Sequence, residues 1–220
     1  VNLIANYKSL YATNATIQVN DSKEISVGNI AYGQSRDIIV DMNNINMTGN
    51  MTGNKTVRLA LNYNRNGKQE THVYGYENVG ASASANVKKE IMRQKCINAL
   101  RQITKVANYD LKGANEIIVN LAKECREYCE NLPIIEDLTK EVSCSLRSSD
   151  AWYKWGRHYI LSLTNAHQNQ ACNNFKDVGV NAYGGEMFKT IRDLLDTMCK
   201  TLDPPVPTYI NYNATGANLS

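Results

Sequence analysis

No apolar run in this 220-residue chain approaches the roughly 18 to 20 residues that cross a bilayer, so no helical membrane span is expected. Nor is there a block of one charge. The 24 basic and 21 acidic residues give a formal charge of +3 and are spread along the chain, without the concentrated basic field that phosphate binding needs, so nucleic acid is not an expected partner. The first residues carry neither a cationic leader nor a cleavage-like site. Cysteine is missing from the first 95 residues; the six present, at 96, 125, 129, 144, 172 and 199, fall almost wholly in segments of helical periodicity. That placement indicates reduced, buried thiols and a cytoplasmic protein more than a disulfide framework. Cys125 and Cys129 would share a helix face, but no second Cys or His pair follows at zinc-site spacing, and no metal site is expected. The Asn-x-Ser/Thr sequons at Asn14, Asn20, Asn46, Asn50, Asn54, Asn213 and Asn218 signal glycosylation only in a secreted chain.

What is present is an ordinary globular apolar content of 43%, in two regions of different period. Val1 to Ala12 has Leu3, Tyr7 and Leu10 at helical spacing. It has no cap and no initiator Met, so two readings stay open: the last helix of a preceding domain, or an N-terminal helix of this one. From residue 13 the pattern alternates, predicting strands over 15–19, 24–27, 36–42, 56–63 and 70–76. Asn66-Gly67 sits where a tight hairpin would turn. The tandem tetrapeptides of 47–54 look like a slip within an exposed loop. So few strands leave one face poorly covered, giving a β-sandwich over 13–80 that is either closed by the helices or completed from outside. Gly80 to Ala85 is small-residue linker material.

After the linker the period is 3.6. Helices are predicted over 87–107, from 111 or 114 to 131, over 134–146, 151–172 and 186–202, giving an α+β chain with a helical domain of about five helices over 86–203. In the last helix Met187, Ile191, Leu194, Leu195 and Met198 form the stripe expected to face inward. Arg93 is expected on the polar side of the first. Pro204, Pro205 and Pro207 end the helical region and 204–220 forms a polar tail.

Asp150 to Gly185 holds both tryptophans and two of the three histidines. Trp152 and Trp155, three apart, would share a helix face and so both belong to the core. His158 and His167 are nine apart, cannot share a metal, and are expected as hydrogen-bonded structural groups. Ser162 lies one turn from His158 without a Gly-x-Ser-x-Gly elbow, which leaves a hydrolase or transferase built on His158, Ser162 and His167 as a poor alternative. Tyr183-Gly184-Gly185 precedes a helix, where a positive φ is the expected reason for the glycines.

Gln34, Ser35, Arg36 and Asp37, with Trp155, Arg157, His158, Tyr159, His167, Cys172, Asn173, Asn174, Phe175, Tyr183, Gly184 and Gly185, stand in stretches that resemble the region following the von Willebrand factor A domain in intracellular A-domain proteins. Some of those proteins also carry RING or U-box modules or a hedgehog/intein-like segment. Val1 to Tyr7 looks like the final helix of the A domain itself. The resemblance implies a β-sandwich followed by a helical domain, with the adjoining A domain and a further protein as partners. It implies structural signature residues and no catalytic residue, cofactor or metal ligand. The Asp-x-Ser-x-Ser loop of a metal-binding A domain and any RING cysteine pattern are absent, so neither cation-dependent adhesion nor ubiquitin ligation follows. The leading expectation is a non-catalytic interaction and scaffolding module. An accessory region of a ubiquitin-ligase-type protein is one alternative; the His158/Ser162/His167 enzyme is another.

Overall fold

The computed structural model describes residues 1–20, 22, 24–41, 48–49, 55–77, 85–128, 132–173, 175 and 177–203. The order is α1 (Asn2–Lys8), β1 (Leu10–Val19), β2 (Ile25–Ala31), β3 (Thr48–Gly49), β4 (Lys55–Arg65), β5 (Lys68–Glu77), α2 (Ala85–Val106) and α3 (Leu111–Tyr128). Then come α4 (133–145), α5 (149–169), α6 (Val178–Asn181) and α7 (Glu186–Thr201). The expected α+β order is therefore present, an antiparallel sheet followed by helices.

Among the described residues the strands form a single sheet in the order β2-β1-β4, with β5 on the outer side of β4 and the short β3 pairing β4 at Thr56 and Lys55. Asn66 and Gly67, both at positive φ (51° and 74°), close the β4–β5 hairpin where the Asn-Gly pair predicts it. β1 carries a bulge between Ala12 and Ala15, with Asn14 at φ 52°, which keeps both alanines on the covered face. That face has little to bury: two small clusters centred on Ala12, Ala15 and Tyr63 and on Val19 and Val57. The continuous core lies in the helices, from Met92, Leu100 and Ile103 of α2 through Leu138 and Val142 of α4 to Trp152, Ile160 and Leu163 of α5 and Phe188 of α7.

Several elements depart from the periodicity. The first helix stops at Lys8 rather than Ala12, because Leu10 already pairs with Ala31 across the sheet. The strand expected over 36–42 is absent from its described part, residues 36–41. Its alternation is genuine, since Val40 packs on Val19 and Val57, but its backbone bonds to helix-borne side chains instead of a neighbouring strand. α6 is additional to the five helices expected. α4 and α5 each contain a π turn, Leu138–Val142 and Trp152–Gly156. The two helices meet at Gly156, where a Cβ would stand 2.8 Å from the Ser145 carbonyl oxygen. The linker at 80–84, the tail, Cys129, five of the sequons and all but Thr48 and Gly49 of the tandem repeat lie outside the described residues.

Gly184 and Gly185 are small for a reason other than positive φ. Gly185 has φ −72°, and a Cβ there would stand 2.5 Å from the carbonyl oxygen of Tyr32 and 2.8 Å from the carbonyl carbon of Gly33. The start of α7 thus touches the bare backbone of the turn after β2, and backbone cannot step aside as a side chain can. Gly185→Ala is expected to lose about 1–3 kcal/mol in a urea melt, the usual cost of overpacking; an unchanged midpoint would mean that sheet and helix separate freely at this contact.

Candidate functional site

The signature residues sort into three groups. The first latches the sheet to the helices. Gln170 ends α5 in the left-handed region at φ 45°, and its side-chain amide pairs with the backbone of Asp37 in both directions: Oε1 accepts from the Asp37 N–H at 2.9 Å and Nε2 donates to the Asp37 carbonyl at 2.7 Å. Gln34 donates to the Gln170 carbonyl at 2.6 Å and accepts from the Ala31 N–H at 3.0 Å. The Arg36 guanidinium donates to the carbonyls of Val27, Asn29 and Asn169. Burial, and then the like charge of Arg93, lower its pKa. Arg93 is buried, contrary to its expected place on a polar face. It pairs with Glu90 at 2.6 Å and donates to the carbonyls of His167 at 2.6 Å and Asp37 at 3.3 Å. Ser35 is exposed.

The second group is a closed polar line within the core. His167 Nδ1 shares a 2.8 Å hydrogen bond with the Tyr183 hydroxyl, and Nε2 faces Asp137 Oδ2 at 3.4 Å. Asp137 Oδ1 accepts from the Gly179 N–H at 2.9 Å. Histidine and aspartate side chains are both sealed from solvent. Burial raises the Tyr183 phenol, so it stays protonated and is no base. Beside it, Tyr183, Arg93 and Glu90 help to line a cavity of about 140 Å³.

The third group is open. Trp152 and Trp155 do not share a face: Trp152 is 1% exposed and donates from Nε1 to Asn108 Oδ1 at 3.1 Å, whereas Trp155 is 39% exposed. The core placement expected of Trp155 is corrected by the π turn, whose wider winding spreads residues three apart that an α-helix would nearly align. Trp155 packs on Tyr159 at 5.7 Å between centroids, and Tyr159 meets Phe175 edge-on at 5.1 Å. These rings line a cleft of about 640 Å³ with Glu136, Lys140 and Glu141 of α4 and Asp177. Tyr159 donates to Asp177 Oδ1 at 2.9 Å, and burial followed by the charge of Asp177 raises its pKa.

Residues 126–197 match a family model described as VWA / Hh protein intein-like. No curated protein and no solved structure matches the chain. Over that third of the chain the match supports a relation to von Willebrand factor A-domain proteins, and it spans α4, α5 and α6, hence the closed line and the cleft. Gln34 to Asp37 lie outside it.

Within the matched region the remaining candidates have separate partners. His158, expected as a structural group, is exposed, and its Nε2 accepts from Arg157 Nε at 3.2 Å. Ser162 accepts from Asn173 Nδ2 at 3.3 Å, while His167 faces Tyr183 and Asp137, so the three residues of the enzyme alternative are not assembled into one set. Cys172 is buried, donates to the Val180 carbonyl at 3.3 Å, and its thiol is pushed up to about 11 by burial. Asn173 caps its own turn by accepting from the Phe175 N–H at 2.9 Å. Asn174 lies outside the described residues. Gly184 faces the Phe188 ring, 2.6 Å from where a Cβ would stand. Among the described residues no three metal-type ligands converge and no helix is long and apolar enough to cross a membrane. Reasoning from sequence missed Arg93, Asp137, Gln170 and Asp177 as site residues, since their bonds to His167, Gly179, Asp37 and Tyr159 span 18 residues or more and leave no local pattern to read.

Trp152→Ala should cost about 3–5 kcal/mol in denaturant melts, as for a buried aromatic. Trp155→Ala should cost about 1 kcal/mol or less; equal losses would return Trp155 to the core. Asp177 supplies a pH test. Burial, the largest cause, raises its carboxyl above 3.8 despite the Tyr159 hydrogen bond, with Asp137 and Glu141 adding to the rise. A raised carboxyl favours the folded state while protonated, a gain complete below the unfolded value and lost as pH rises through the folded one. Between about pH 3 and pH 7, wild type should therefore lose stability relative to Asp177→Asn and then level off. A pH-independent difference between the two would contradict this assignment.

Proposed function

We propose that this chain is a non-catalytic interaction module that docks a von Willebrand factor A domain of the same polypeptide on the surface formed by α1 and α7. The observation that carries the reading is the orientation of α7. Its apolar stripe has the expected spacing, yet Phe188 is its buried residue while Met187, Leu194 and Met198 remain exposed, Leu194 at 61%. α1 packs against α7 and leaves Leu3 and Tyr7 exposed at 72% and 74%, while Asn2 and Asn6 tie its other side to the carbonyls of Asn173 and Cys172. Two packed helices that both turn apolar side chains outward are suited to burial against a further domain. The match of residues 126–197 supports an A domain as that partner.

The enzyme reading lacks comparable support, because His158, Ser162 and His167 have separate partners. In a polypeptide joining the A domain to this chain, calorimetry should show one melting transition. Leu194→Asp with Tyr7→Asp should split it in two while shifting the isolated chain by only about 0.5 kcal/mol, as for exposed positions. Two independent transitions in the unmutated polypeptide, or a single one that survives the double substitution, would overturn the docking.

A further inference from the structure

We propose that the Trp155–Tyr159–Phe175 cleft binds an arginine side chain presented by a partner protein. This deepens the interaction-module reading and rests on it only for the ligand being a protein; the cleft shares no lining residue with the exposed side chains of α1 and α7.

Three observations converge on the cation. The walls are aromatic: the exposed rings of Trp155 and Phe175 flank the buried Tyr159, and such faces attract a cation through their negative π-clouds. Among the described residues the remaining wall is acidic, since Glu136, Asp137, Glu141 and Asp177 stand against Lys140 alone, which already pairs with Glu136. Finally, Asp177 Oδ2 is buried with no hydrogen-bond partner among the described residues, although Oδ1 accepts from Tyr159. An unanswered buried acceptor carries a desolvation cost that an arriving N–H donor relieves.

The third observation selects the cation. A quaternary ammonium has no N–H and would leave Oδ2 unanswered. A primary ammonium donates but has no flat face to lay on a ring. A guanidinium does both, stacking on an aromatic face while its in-plane N–H groups reach carboxylates. The cleft's form selects the carrier. Its volume of about 640 Å³ is ample, but Trp155 and Phe175 remain 39% and 41% exposed, so the walls do not enclose a free molecule as small-ligand pockets do. A side chain whose backbone continues outside suits such an opening. The π turn that swings Trp155 off the core stripe is of a kind frequent at functional sites.

The test uses the isolated chain and blocked five-residue peptides with four glycines around a central arginine, lysine or trimethyllysine, titrated to millimolar concentrations by tryptophan fluorescence and calorimetry. The arginine peptide should saturate and bind at least about tenfold tighter than the trimethyllysine peptide. Trp155→Ala and Asp177→Asn should each weaken it about tenfold, and Glu141→Gln, at an exposed position that does not threaten folding, about threefold. Leu194→Asp with Tyr7→Asp should leave it unchanged, which separates failure of this site from failure of A-domain docking. Absence of saturation, trimethyllysine binding as tight or tighter, or full affinity in both carboxylate variants would each overturn the arginine assignment.

Discussion

The pairing of the Gln170 side-chain amide with the Asp37 backbone is the contact on which the arrangement of the molecule depends. Among the described residues the sheet's covered face contains two small clusters, too little apolar area for a few strands to stand alone. Its stability has to come from the helices. The chain after β2 connects the two, and at Asp37 it receives from Gln170 the bonds a neighbouring strand would have supplied. Gln170 can reach that backbone because it leaves α5 in the left-handed region, ending the helix where the sheet begins. Arg93 and Arg36 then fill the carbonyls on either side. Backbone groups that would otherwise be buried without partners are satisfied by side chains of the opposite layer, so neither layer is complete without the other.

Much of the plan was legible because it is periodic. The alternation of β4, the Asn66-Gly67 turn that brings β5 beside it and the 3.6-residue stripes of α2 to α5 are local patterns of the kind a sequence encodes, although Val73, Tyr74 and Tyr76 of β5 are exposed. Residues 36–41 show the limit of that rule. Their alternation is as clear as a strand's, but alternation records which side chains are covered and says nothing of where the backbone hydrogen bonds go. Arg93 fails for a related reason: a lone arginine among Lys88, Lys89 and Glu90 looks solvated until carbonyls from α5 and the Asp37 segment are seen to surround it. The glycine pair was legible as a constraint and not as to its kind, because close backbone approach and positive φ both select glycine.

Two polar groups lie within the matched region, and they differ in access. The line from Asp137 through His167 to Tyr183 has residue types found in catalysis, but its histidine and aspartate are sealed from solvent and the phenol at its end is held protonated. It holds α4, α5 and the approach to α7 in register, with Gly179 of α6 bonded to the same carboxylate. The cleft draws on nearby elements, and Asp137 borders both. A closed interior thus lies next to an open aromatic and acidic surface, the contrast on which the proposed binding role rests.

The π turns connect that surface to the fold. An extra residue in a helix worsens hydrogen-bond geometry locally and shifts every following side chain around the axis, so it persists where the shifted positions are used. Here the turn at Trp152–Gly156 separates two tryptophans that a regular helix would have directed together, sending Trp152 to the core and Trp155 to the cleft. The turn at Leu138–Val142 carries Lys140 and Glu141 to the facing wall. Gly156 then lets the helices close on each other at Ser145. Regular helical reasoning misplaces Trp155 for the same reason that Trp155 lines the cleft, and such a mismatch between local rule and structure is what makes the cleft a candidate for function.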